Sequence, residues 1–200
     1  LRFCKEQKID FDFQDHRKLK ESINFSFHAT LRTHQNKAVK SVSKKDFGVI
    51  VAPPGSGKTI IGLKIISEKK QPALIVVHRI QLLGQWQERV QAFLGIPKHE
   101  IGIIGKGKTK IGKQITIATI QSLPKQIEQI QNQFGTILLD ECHHIPAETF
   151  RSTIEKLNTF YLYGLTATPF RKYNDGKLIF AFLGEIISEV ESSEIENFKH

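Results

Sequence analysis

Apolar residues in this chain gather in short runs separated by helical spacing. Val49-Ile50-Val51-Ala52 and Ala73-Leu74-Ile75-Val76-Val77 are unbroken stretches of strand length. Ile101 to Ile104, Ile115 to Ala118, Thr136 to Leu139 and Phe160 to Leu165 are further runs of the same kind. Between them Leu82, Leu83, Trp86, Val90 and Phe93-Leu94 recur on one helical face, stopped by Gly95-Ile96-Pro97. The stretch from Lys58 to about Lys69 reads as another helix, and one from Thr33 would turn Ala38 and Val42 inward. Strands that are apolar throughout need cover on both faces. Their alternation with helices predicts an α/β fold: an open, mainly parallel sheet flanked by helices.

The first 28 residues differ. Ile9-Asp10-Phe11-Asp12-Phe13 alternates apolar with acidic positions, and Ile23, Phe25 and Phe27 repeat the period of two. That pattern predicts a small β-containing attachment over residues 1–28, or the end of an upstream domain, ahead of the α/β domain over 29–200. The chain starts at Leu1 and has no Met, which suits a trimmed piece of a longer protein.

Composition narrows the partners more than the fold. No run of 18 apolar residues offers a membrane span, and the N-terminus lacks a signal peptide's apolar core. The 29 Lys and Arg against 20 Asp and Glu leave a net charge of +9, which favours a polyanion. Cys4 and Cys142 are too few for a disulfide framework and fit a reducing, cytoplasmic setting. The richest basic stretch, Gly105 to Lys113, carries Lys106, Lys108, Lys110 and Lys113. A solvated turn between two strands is its simpler reading and phosphate contact the other. Lys44-Lys45 and Lys69-Lys70 fall where helices end, where the helix dipole and exposure to water account for them.

Three motifs carry chemistry. Ala52-Pro53-Pro54-Gly55-Ser56-Gly57-Lys58-Thr59 lies between a strand and a helix. Glycines let a backbone wrap phosphates and the helix amides point at the charge; Lys58 suits the β- and γ-phosphates and Thr59 a Mg²⁺ ion. Ala52 stands where such loops usually begin with Gly. Leu138-Leu139-Asp140-Glu141-Cys142-His143-His144 places two carboxylates at the end of a buried strand, where α/β sheets hold ligands. Asp140 can hold Mg²⁺ and Glu141 can orient and deprotonate water. Zinc is the poorer reading of Cys142-His143-His144, because adjacent residues seldom converge on one tetrahedral ion. The third motif, Gly164-Leu165-Thr166-Ala167-Thr168-Pro169, puts two hydroxyls at another strand end.

In this order the motifs resemble those of superfamily 2 helicases and translocases, over about residues 29 to 172. Pro54 to Thr59 looks like motif I, Asp140-Glu141-Cys142-His143 like the DExH form of motif II, and Thr166-Ala167-Thr168 like motif III. Leu31 to Gln35 is similar to the adenine-recognition segment, Val77 to Trp86 to motif Ia, and Thr119 to Leu123 to motif Ib. DECHHIP and VHRIQLLGQW look closest to the XPB-like and type III restriction-subunit branch.

The resemblance implies the first RecA-like domain of a DNA motor using ATP and Mg²⁺, in a restriction, defence, mobile-element or repair setting. Gln35 would read the base, and Pro54, Gly55, Ser56, Gly57, Lys58 and Thr59 would hold the phosphates. Asp140 would hold the metal, Glu141 the water, and His143, Thr166 and Thr168 would couple hydrolysis to movement. His78, Arg79, Gln85, Thr119, Gln121 and Ser122 would touch the nucleic-acid backbone without reading sequence. Trp86 has the spacing of core packing, with base stacking the alternative.

Such motors need a second RecA-like domain with arginine fingers. Nothing after Pro169 resembles one, and residues 171–200 hold a single Arg, Arg171. The chain alone is therefore expected to bind ATP and hydrolyse it poorly. An RNA substrate, a regulatory ATP-binding module that does not turn over, and a basic nucleic-acid binder with a vestigial loop are the alternative functions.

Overall fold

A computed structural model describes residues 7–10, 12, 15, 17–168, 182–191 and 193–196. Its strands are β1 (Phe47–Val51), β2 (Ala73–Val77), β3 (Gly102–Gly105), β4 (Lys108–Lys110), β5 (Ile115–Thr119), β6 (Thr136–Leu139), β7 (Tyr161–Thr166) and β8 (Ile186–Glu189). They form one eight-stranded sheet ordered β4-β3-β5-β2-β6-β7-β1-β8. Every pairing is parallel except β3 with β4. The helices are α1 (Thr33–Ser43), α2 (Lys58–Lys69), α3 (Leu82–Leu94), α4 (Ile127–Ile130), α5 (Ala147–Thr153) and α6 (Ser193–Glu196).

The inner strands are apolar throughout because successive side chains point to opposite faces and both faces are covered. Ala73, Ile75 and Val77 of β2 pack under α1, α2 and α3 with Ile50, Leu138 and Leu165. Leu74 and Val76 point the other way, to Ile130, Phe134, Phe150 and Ile154. α2 sits close on the sheet at Gly62, where a Cβ would come within 2.7 Å of a Leu138 methyl. Among the described residues no helix is long and apolar enough to cross a membrane.

Three sequence expectations change. Ile23, Phe25 and Phe27 do alternate half-buried with exposed neighbours, but they form no strand. Their extended segment lies across helices rather than a sheet edge: Ile23 N–H donates to the Lys70 carbonyl, His28 N–H donates to that of Phe93, and Phe25 and Phe27 pack on the helical core. The stretch Ile9 to Phe13 lies partly outside the described residues, as Arg171 does wholly.

The lysine-rich turn contains a strand of its own, β4, exposed along its length and paired antiparallel with β3. Lys69 does more than end its own helix. Its ammonium donates to the carbonyls of Val42, Ser43 and Lys45 at the end of α1, at 3.4, 3.0 and 3.2 Å, and lies over the Tyr161 ring. Burial there lowers its pKa.

Candidate functional site

The sheet order brings the three motifs together. β6, β7 and β1 are neighbours, with Leu139 beside Gly164 and Val51 beside Thr166. All three strands run the same way, so the loops leaving their carboxyl ends meet at one edge.

After β1 the chain turns through Pro53 to Gly57 and enters α2. Gly57 has φ +83°, a conformation that disfavours any side chain, and a Cβ there would approach Gln35 Nε2 to 2.4 Å. Ser56 is buried, and its carbonyl accepts from Gln35 Nε2 at 2.9 Å and pairs with His34 Nε2 at 3.0 Å. Gln35 Oε1 accepts in turn from the Arg32 amide, so α1 braces the loop. Gln35 thus stands beside motif I with its amide occupied by loop backbone. His34, 2% exposed, is a bracing residue that the sequence did not single out. Pro54 and Gly55 are exposed, and no atom lies within 4 Å of a Cβ built on Gly55. Thr59 is half-buried in the first turn of α2.

Lys58 Nζ lies 3.2 Å from the Ala52 carbonyl and 3.2 Å from Glu141 Oε1. Glu141, at the left-handed φ of +47°, turns its other oxygen to the Ala167 amide at 3.1 Å and to His143 Nδ1 at 3.4 Å. His143 Nδ1 also pairs with Thr166 Oγ1 at 2.8 Å, and that hydroxyl donates to the Thr168 carbonyl at 3.2 Å. Motifs I, II and III are therefore one connected polar network. Burial lowers the pKa of His143, with His144 adding to the effect and Glu141 opposing it. Cys142 points the other way, into the core, and burial raises its pKa.

Asp140 accepts a hydrogen bond from the Trp86 indole at 2.8 Å. Burial raises the Asp140 pKa, and this bond opposes the rise. Trp86 is 3% exposed, a core residue as its spacing suggested, but its link to motif II could not be read from α3 alone. The loop amides, the Lys58 ammonium, the Thr59 hydroxyl and the Asp140 carboxylate fit a nucleotide triphosphate with magnesium, whose hard ion takes oxygen donors.

The proposed nucleic-acid residues follow two adjacent strands, with Val77 of β2 beside Thr119 of β5. Arg79, Gln85 and Gln121 are exposed, and Gln121 Nε2 donates to the His78 carbonyl at 3.1 Å. Thr119 is 5% exposed, and its hydroxyl pairs with that of Ser122 at 2.7 Å, a contact that holds the loop. Burial lowers the His78 pKa, helped by His144 and Arg79. Lys106, Lys108 and Lys110 are exposed on the hairpin, where Lys110 donates to the His99 carbonyl.

A phosphate loop at the end of β1, carboxylates at the end of β6 and hydroxyls at the end of β7 define the RecA-like ATPase domain of superfamily 2 helicases. Within that class the chain belongs to the family described as Type III restriction enzyme, res subunit, which matches residues 28–171. It is 42% identical over 147 residues to the DNA 3'-5' translocase XPB2 of Sulfurisphaera tokodaii, covering 74% of this chain and 32% of that protein. The crystal structure of the UvsW helicase from bacteriophage T4 shares the fold at a TM-score of 0.74 and 20% identity, over 94% of this chain and 75% of that one. The Sulfolobus solfataricus SWI2/SNF2 ATPase core in complex with dsDNA gives a TM-score of 0.67 at 22% identity, over 84% and 38%. The chain spans less than half of the length of the curated relatives it matches, about a third of the Sulfurisphaera protein among them.

Proposed function

We propose that this chain is the first motor domain of an ATP-dependent DNA helicase or translocase, which hydrolyses ATP when joined to a second RecA-like domain. The observation that carries the reading is the continuous contact from Lys58 through Glu141 to Ala167, His143 and Thr166. A structural turn has no need of such a chain.

In this reading the amides entering α2 cradle the phosphates, and Lys58 moves its charge from Glu141 to the β- and γ-phosphates. Thr59 and Asp140 would hold magnesium, which neutralises phosphate charge when bound. Glu141 orients the attacking water and takes its proton. His143, Thr166 and Thr168 transmit the change at Glu141 to the neighbouring loops. His78, Arg79, Gln85, Thr119, Gln121 and Ser122 line the proposed backbone track, with Thr119 acting by fixing Ser122. DNA is the substrate favoured by the name of the 42%-identical relative. The small share of that relative which the chain spans supports a second domain as partner. Arginine fingers from that domain would account for most of the turnover.

The test is ATPase activity of the full-length protein with and without duplex DNA, against Glu141→Gln. Loss of about 100-fold or more is expected for the variant, with weak hydrolysis by residues 1–200 alone. A Glu141→Gln protein that turns over at the parent rate would remove Glu141 from the mechanism.

A further inference from the structure

Cys142, His143 and His144 form one turn of 3-10 helix directly after Glu141. With three residues per turn, successive side chains point in three directions. Cys142 takes the direction of the core, 0% exposed, and His143 that of Glu141 and Thr166. His144 is left on the side facing β2, more than a third exposed. Its ring lies against His143, with centroids 3.9 Å apart and planes tilted by 42°, and against His78, 4.5 Å away at 36°.

The strand order explains the meeting. β2 is hydrogen-bonded to β6, and the Asp140 amide donates to the Val76 carbonyl, so the residue that follows β2 by one position stands beside the turn that follows β6. The backbone of His78 is held from the far side by Gln121. A line of contact therefore runs from the β5 loop to the β2 loop, through three imidazole rings, to the carboxylate proposed to activate water.

We propose that His144 is a positioning residue that couples the nucleic-acid surface to Glu141, by transmitting displacement of the His78 loop through ring packing to His143. The proposal rests on the motor reading above and adds a residue that the motifs leave without a role. An exposed ring contributes little to core packing, and its two neighbours are those that the motor reading places on opposite sides of the coupling. Ring-to-ring contact of this kind acts through shape, so an aromatic replacement should preserve it.

The experiment uses the full-length protein with His144→Ala, His144→Phe, His78→Ala and the His78→Ala/His144→Ala pair. ATPase is measured without nucleic acid and over a titration of duplex DNA. His144→Ala should keep the unstimulated rate and thermal midpoint while losing stimulation by about tenfold. His144→Phe should restore it, and the double variant should lose no more than the larger single loss. Equal loss of basal and stimulated rates in His144→Ala would make the residue merely structural. Undiminished stimulation in His144→Ala, failure of His144→Phe to restore it, or additive losses in the double variant would each overturn the coupling. A parent protein that DNA does not stimulate would instead defeat the motor reading beneath it.

Discussion

Replacing Trp86 by Phe keeps an aromatic ring on α3 and removes the one donor that reaches Asp140 from that helix. A hydrogen bond to a charged group contributes about 1.5–3 kcal/mol. Trp86→Phe should therefore lose about 2 kcal/mol in urea unfolding and require more Mg²⁺ for half-maximal ATPase, since Asp140 becomes harder to ionise. An unchanged Mg²⁺ requirement would confine Trp86 to packing. The histidines supply a pH test at the same scale. His78 and His143 both have folded pKa values pushed below the ordinary 6.5, chiefly by burial. As pH falls the unfolded chain takes up protons first, so their contribution is complete above about 6.5 and is lost below it. Urea midpoints should drop between pH 7.5 and 5.5, and His78→Phe should flatten part of that drop.

At the scale of elements, residues 17–28 behave as a strap on the RecA-like domain. Arg17 lies over the Phe160 ring and donates to its carbonyl, Lys20 N–H donates to Gln71, and Phe27 lies beneath the Lys64 ammonium. Phe25→Ala or Phe27→Ala should each cost about 1–2 kcal/mol, below a full core truncation because both rings are half-buried; a urea titration of the two variants measures it. This strap marks where reading by period failed. Alternation at Ile23, Phe25 and Phe27 reports that one side of the chain is covered, which a pair of helices can do as well as a sheet. β4 was illegible for the opposite reason: Lys108-Thr109-Lys110 has no apolar residue, and only its pairing with β3 makes it a strand. β2 and α2 were legible to the residue because burial on both faces, or a loop rich in glycine before a helix, leaves an unambiguous local mark.

For the whole molecule, motifs I, II and III could be named from the chain but their contacts could not. Lys58 opens α2 beyond the loop that leaves β1, Asp140 follows β6 and Thr166 ends β7, and only the order β6-β7-β1 makes them neighbours. The same holds for what was missed. His34 braces Ser56 and Trp86 braces Asp140 across large sequence separations, and neither residue type announces such a partner.

The Lys58–Glu141 pair has a consequence for affinity. A lysine shared between a carboxylate and a phosphate makes the two rivals for one charge, so each must weaken the other's hold by the same factor. Neutralising the carboxylate releases the lysine to its remaining suitor. Glu141→Gln should then bind a non-hydrolysable ATP analogue about threefold to fivefold more tightly, as read by equilibrium fluorescence titration, while Lys58→Ala should abolish that difference. The residue that spends the nucleotide would also be the one that keeps its grip loose.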